Sequence, residues 1–251
     1  MIEKIEQNIF GHFKYLPEAA KFSVKTDQDL TIINCGLGSS MFNIVCGIPI
    51  EQDNFNRTIQ NVINEFKGQP FAWSISPSAL SEVLSKKLLE CGFIIEATEH
   101  AMLCDLTNYE DNKYDTNQLR IAQVLNSRQL THFIQVIELY DVTACDFYEK
   151  FEEPMLNKQE KLFVGYENDV PVIISILFSH NDTAGIFSLI TQENKRCLGY
   201  GTQMMIYLMN TAKRNGARYV TLSASSDSGY RIYERLGFQT FGQFECFEWK
   251  G

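Results

Sequence analysis

The hydrophobic positions of this chain change period several times, and each change marks an element. Ile2, Ile5, Ile9 and Phe13 recur at helical spacing, which predicts an amphipathic helix ending before Pro17, because proline has no N–H for the helix ladder. Three short strands are expected next, at Lys21 to Lys25, Leu30 to Cys35 and Met41 to Cys46, separated by Asp27, by Gly36 with Gly38, and by Gly47 with Pro49. Connections this short suit antiparallel pairing. A helix over 54–66 places Ile59, Val62, Ile63 and Phe66 on one face, and a strand at Phe71 to Ile75, a helix at Ala79 to Cys91 and a strand at Ile94 to Leu103 follow.

Residues 108–117 are the one sustained polar run, and beyond them the same order of elements returns. A strand at Leu119 to Leu125 leads to a helix capped by Ser127 that carries Leu130, Phe133, Ile134 and Ile137, then to a short helix near Ala144 to Phe151. Three strands, Leu162 to Tyr166, Val172 to Phe178 and Ile186 to Ile190, are joined by turns at Glu167-Asn168-Asp169 and His180-Asn181-Asp182. A helix from Met204 to Lys213, a strand within Ala217 to Ser225, and a helix ending in Leu236-Gly237-Phe238 complete the pattern. Cys91-Gly92-Phe93 ends the corresponding helix about 145 residues earlier, so an internal repeat is expected. The reading is an α+β chain with a mixed, mostly antiparallel central sheet flanked by helices, in two domains, 1–110 and 118–251, with 108–117 as linker.

Composition narrows the class of partner. The chain has 251 residues, 45% hydrophobic and 12% aromatic, enough for a sizeable core. A formal net charge of −9 without a basic stripe argues against nucleic acid, and favours a cationic or neutral substrate. No apolar run reaches the length of a membrane span and the first residues lack a signal-peptide core, so a cytoplasmic protein with no membrane partner is expected. Seven scattered cysteines without a Cys-x-x-Cys pair predict reduced thiols and no metal.

The candidate chemistry sits between the strand Gly185 to Ile190 and the helix from Met204: Arg196-Cys197-Leu198-Gly199-Tyr200-Gly201-Thr202. The first N–H groups of a helix have no intrahelical acceptor and the helix end is partly positive, so a glycine-bearing turn there suits phosphate oxygens. The spacing is neither that of a Walker loop nor that of the dinucleotide fingerprint. Arg-x-x-Gly-x-Gly resembles the pyrophosphate-binding loop of the GNAT superfamily of acyl-CoA-dependent N-acyltransferases. Tyr233-Glu234-Arg235-Leu236-Gly237-Phe238 is similar to the Tyr-Glu-Lys/Arg-x-Gly-Phe element of the same superfamily, at the distance expected from the loop.

The resemblance covers about residues 118–251 and implies a GNAT-like fold, with the first half as a degenerate tandem copy. It implies that acetyl-CoA is the co-substrate and an amine the acceptor, attacked directly in a ternary complex. Carried over by position, Leu189, Ile190 and Thr191 would bond the pantetheine arm through their backbone, and Arg196, Cys197, Leu198, Gly199, Tyr200, Gly201 and Thr202 would hold the pyrophosphate. Ser226 stands where many members have an asparagine facing the pantetheine. Tyr233 would be the general acid for the leaving thiolate, with Tyr230 one turn earlier as its competitor. No motif names the general base; Glu245, Asp227 and Glu138 are candidates. The first copy lacks the loop pattern, carries Glu51 and Asp53 where a pyrophosphate would sit, and has Leu88 at the place of Tyr233. A non-catalytic acyl-CoA-binding sensor or interaction module is the alternative reading, and a homodimer is left open.

Overall fold

The computed structural model of the protein describes residues 1–47, 55–110, 118–150 and 159–251. Helix α1 (Ile2–Ala19) precedes strands β1 (Ser23–Asp27), β2 (Leu30–Asn34) and β3 (Ile44–Gly47), helix α2 (Phe55–Phe66), strand β4 (Phe71–Ile75), helix α3 (Glu82–Glu90) and strand β5 (Ile94–Asp105). The second half runs β6 (Arg120–Gln123), α4 (Ser127–Ile137), α5 (Ala144–Tyr148), β7 (Glu160–Glu167), β8 (Val170–His180), β9 (Thr183–Thr191), α6 (Tyr200–Arg214), β10 (Tyr219–Ala224), α7 (Asp227–Arg235) and β11 (Gln239–Trp249).

Among the described residues, eleven strands form one sheet in the order β1-β2-β3-β4-β11-β5-β10-β9-β8-β7-β6. Its pairs are antiparallel except β3 with β4 and β9 with β10. The expected repeat is visible in this order: β1 to β4 recur as β7 to β10, a three-stranded meander, a crossover helix and a parallel strand. The last strand of each copy breaks the pattern. Strand β11 pairs with β4 and β5 pairs with β10, so each half lends its final strand to the other, and the two lent strands pair at the centre. The sheet thus runs continuously across the two halves of the chain.

Helices cover both faces. On one face of the second half, Met204, Met205 and Met209 of α6 pack as core against Val220, Leu222 and Phe238. On the other, Phe133 and Phe147 of α4 and α5 meet Ile174 and Ile176, and Ile5 and Ile9 of α1 lie over Ala101, Tyr219 and Phe244. The first helix of the chain therefore sits on the sheet of the second half. Gly185 permits this approach: a Cβ there would stand 2.0 Å from Asn8 Oδ1, and Asn8 Nδ2 donates to Thr183 Oγ1 at 2.8 Å. In the first half, α2 and α3 pack Ile59, Val62 and Leu88 against Trp73 and Phe247.

Several boundaries differ from expectation. Helix α1 continues through Pro17, because a proline in the last turn removes one ladder bond while its fixed φ remains helical; the helix closes beyond it with Phe22 N–H donating to Pro17 O at 2.9 Å. Asn126, rather than Ser127, caps α4, its Oδ1 accepting the Gln129 N–H at 3.0 Å. Ser81 caps α3 and so starts it at Glu82 instead of Ala79. His180, placed in a turn from sequence, ends β8 instead and is half-buried with its ring parallel to that of Phe178. Glu51 and Asp53 lie outside the described residues.

Candidate active site

Strand β9 is irregular where the chemistry was expected. Its register with β8 slips between Ile174 and Ile176, and Ser188, at φ +49°, is the extra residue of the resulting bulge. The buried Ser175 hydroxyl holds the bulge by donating to Phe187 O at 2.9 Å. Pairing between β9 and β10 stops after Gly185 with Thr221, and the strands then diverge. From Ile186 to Thr191 the β10 side of β9 thus has no strand partner, which leaves Leu189, Ile190 and Thr191 along an open edge of backbone.

A 3-10 turn at Glu193–Lys195 and the left-handed residues Cys197 (φ +62°) and Gly199 (φ +83°) turn the chain into α6. Gly199 is the N-cap, and no side chain caps the helix. The bond from Gln203 N–H to Gly199 O, at 3.1 Å, leaves the amides of Tyr200, Gly201 and Thr202 ahead of it without intrahelical acceptors. Arg196 is exposed at the rim, its Nε donating to Thr191 O at 3.4 Å, and Cys197 and Leu198 are exposed beside it. The two glycines serve different ends. Gly199 has open space where a Cβ would be and is favoured by its positive φ, whereas a Cβ on Gly201 would make an ordinary 3.5 Å contact with Ile232 of α7.

Glu167, at the end of β7, clamps this turn from beneath. One carboxylate oxygen accepts the hydroxyl of the buried Tyr200 and the other the Lys195 ammonium. The Lys195 bond first, then the Tyr200 bond, hold the carboxyl below the usual glutamate range, and the Glu167 bond pushes the Tyr200 phenol up to about 12. Open amides, the helix dipole and the exposed Arg196 guanidinium are a combination that suits a polyanion.

Ser226 follows β10 and is the N-cap of α7: its Oγ accepts the Gly229 N–H at 3.2 Å, so the hydroxyl is engaged locally. The Tyr233 side chain turns back along the helix, and a Cβ on Gly229 would stand 3.2 Å from its hydroxyl. Burial, and then the Glu99 carboxylate, push this phenol up to about 12. Tyr230 turns away, its ring against His100 at 4.8 Å between centroids. Loop, α6 and α7 share one face of the sheet.

On the opposite face a cavity of about 250 Å³ lies between α1 and the sheet. Ser188 and Ser223 from the two diverging strands line it, with Glu99, Phe244, Phe42 and Phe147 around them. Both halves of the chain therefore contribute walls. His12 of α1 faces the cavity: its ring stacks on Phe187 with centroids 3.8 Å apart, and Nδ1 lies 2.9 Å from Glu160 Oε2. The Glu160 side chain is 1% exposed and that of His12 16%, so the imidazole is reachable and the carboxylate stands behind it.

None of the acids proposed from sequence lines this cavity. Glu245 accepts from Ser85 Oγ at 2.7 Å, Asp227 is exposed in the first turn of α7, and Glu138 ends α4. His12, Glu99 and Glu160 were missed because no motif carries them. One signal was present: His12 continues the stripe Ile5, Ile9, Leu16 at helical spacing, a titratable side chain on an otherwise buried face. Among the described residues, no group of His, Cys, Asp and Glu is arranged to hold a metal ion, and no helix is long and apolar enough to cross a membrane.

The model of the acetyltransferase (GNAT) family matches residues 121–238. A GCN5-related N-acetyltransferase from Kribbella flavida superposes with a TM-score of 0.71 at 14% identity, covering 96% of this chain and 95% of that one. A functionally unknown conserved protein from Staphylococcus epidermidis ATCC 12228 gives 0.68 at 16% identity, over 92% and 95% of the two chains. A tandem GNAT protein from the clavulanic acid biosynthesis pathway gives 0.57 at 10% identity, over 82% and 74%. No curated protein matches in sequence. Residues 121–238 thus resemble the GNAT acetyltransferase family, and the chain as a whole has a GNAT-like fold. Family and fold support an acyl-CoA N-acyltransferase.

Proposed function

We propose that the protein transfers an acetyl group from acetyl-CoA to the primary amine of a small molecule. The observation that carries this reading is the divergence of β9 and β10 beyond Gly185 and Thr221, which leaves an unpaired edge leading to the Arg196–Thr202 turn and a cavity lined by Ser188 and Ser223. The amides of Tyr200, Gly201 and Thr202, with Arg196 and Lys195, would hold the pyrophosphate. The unpaired edge of Leu189 to Thr191 would take the pantetheine amides as an added strand takes a partner. That path delivers the thioester to the bulge at Ser188.

The cavity would receive the acceptor. Its carboxylates and aromatic rings suit an amine with an apolar body, attracted as a cation and reacting as the free base. Tyr233, protonated across the working range, would give its proton to the leaving thiolate. Seven free cysteines fit a reducing compartment.

The test is release of coenzyme A thiol from acetyl-CoA in the presence of a panel of small primary amines, aromatic ones included. Amine-dependent release supports the reading. Binding of acetyl-CoA with no release for any amine would instead favour a sensor.

A further inference from the structure

The proton lost by the incoming amine needs an acceptor, and the acids considered from sequence stand elsewhere. The cavity offers a built arrangement instead. A carboxylate oxygen only accepts, so the 2.9 Å contact between Glu160 Oε2 and His12 Nδ1 assigns the ring proton to Nδ1 and leaves the Nε2 lone pair free. The stack on Phe187 fixes the ring plane, and Phe187 is the residue immediately before the Ser188 bulge. Glu160 is almost fully buried, and its second oxygen has no hydrogen-bond partner among the described residues, so a positive charge developing on His12 would compensate an otherwise costly site. An imidazole oriented by a carboxylate and open to a substrate cavity is the arrangement by which triad histidines move protons.

We propose that His12 is the general base of the transfer and that Glu160 is its positioning residue. The inference rests on the acetyltransferase reading above. The amine nitrogen attacks the thioester carbonyl carbon and the C–N bond forms. The nitrogen then loses a proton to His12 Nε2, the C–S bond breaks, and the thiolate takes a proton from the Tyr233 hydroxyl. Proton exchange with water returns His12 to neutral and Tyr233 to phenol, leaving an amide and a free thiol. The first helix thus completes the catalytic centre of the second half. Titratable groups facing His12 come from every side: Glu160 of β7, Tyr148 of α5, Glu99 of β5 and Cys246 of β11 line the same cavity, and His180 ends β8 behind Phe178.

The experiment compares wild type, His12→Gln, Glu160→Gln and Glu99→Gln in acetyl-CoA thiol release with the amine panel across pH, beginning with 2-phenylethylamine, alongside calorimetric affinity for acetyl-CoA. The proposal expects His12→Gln to keep the affinity, lose about 100-fold or more in kcat, and lose the ascending limb of the pH profile. Glu160→Gln keeps an acceptor for Nδ1–H but removes the charge that favours imidazolium, so that limb should move to lower pH and kcat should fall about 10-fold. Nitrogen NMR of the wild-type imidazole should show the Nδ1–H tautomer, a reading independent of any variant's folding. A loss confined to Glu99→Gln, an unchanged limb in His12→Gln, or an Nε2–H tautomer would each overturn the proposal. Acetyl-CoA affinity with no turnover of any amine would overturn it too, while absence of acetyl-CoA binding would overturn the reading beneath it.

Discussion

Leu88 and Tyr233 occupy the same place in two copies of one turn: the Leu88 carbonyl accepts the Phe93 N–H at 3.1 Å, and the Tyr233 carbonyl accepts the Phe238 N–H at 3.1 Å. In both copies a glycine at positive φ, Gly92 at +95° and Gly237 at +93°, makes the bond possible. In both, a serine caps the helix, Ser81 and Ser226. Backbone chemistry has been retained on both sides while the side chain at the centre differs. Leu88 is fully buried among the core of the first half, and the Tyr233 hydroxyl stands near the start of its helix.

That difference predicts opposite phenotypes. Leu88→Ala should cost about 2–5 kcal/mol of stability, read by denaturant unfolding, with acetyl-CoA affinity unchanged. Tyr233→Phe should leave stability within about 1 kcal/mol and lower kcat by about 100-fold. Because the Tyr233 phenol is pushed up to about 12, its ionisation should produce no alkaline fall in rate below about pH 11.

The clamp under the loop predicts a pH dependence of stability. The Glu167 carboxyl is held below the ordinary glutamate value of 4.5 by Lys195 and Tyr200. A depressed pKa means the folded state binds this proton less readily than the unfolded chain, so the contribution is complete above about pH 4.5 and is lost as pH falls through the lower folded value. Glu167→Gln should remove that part of the acid sensitivity. Melting temperature measured from pH 3 to 7 in both proteins checks it, and parallel curves would count against the clamp.

Gly185→Ala should loosen α1 from the sheet. The added Cβ would stand 2.0 Å from Asn8 Oδ1 and 2.4 Å from the Phe187 ring, contacts that neither group can absorb in place. A cost of about 1–3 kcal/mol or more is expected, with faster amide exchange along α1 if the helix is what gives way. Wild-type stability in this variant would show that α1 is not held against β9.

Periodicity and turn chemistry were enough to find the repeat, the elements and the loop, because each copy obeys local rules: apolar stripes, glycine at the helix end, short hairpins. Strand Phe71–Ile75 falls where its pattern put it, and the helix expected from Met204 to Lys213 lies within α6. The exchange of β5 and β11 had no local signature, since a strand paired with either neighbour shows the same alternation. His12 illustrates the same limit. Its partners Glu160 and Phe187 are far away in sequence, and only the docking of α1 on the second half brings them together.

Whether acyl-CoA is held at the start of α6 is read by titrating acetyl-CoA into the protein with calorimetric detection. One site of about micromolar affinity is expected. That site should be lost in Gly201→Asp, where a carboxylate beside the open amides repels phosphate while favouring the helix dipole, so the variant should be at least as heat-stable as wild type. No binding by the wild type, or equal binding by a folded Gly201→Asp, would contradict acyl-CoA binding at this turn.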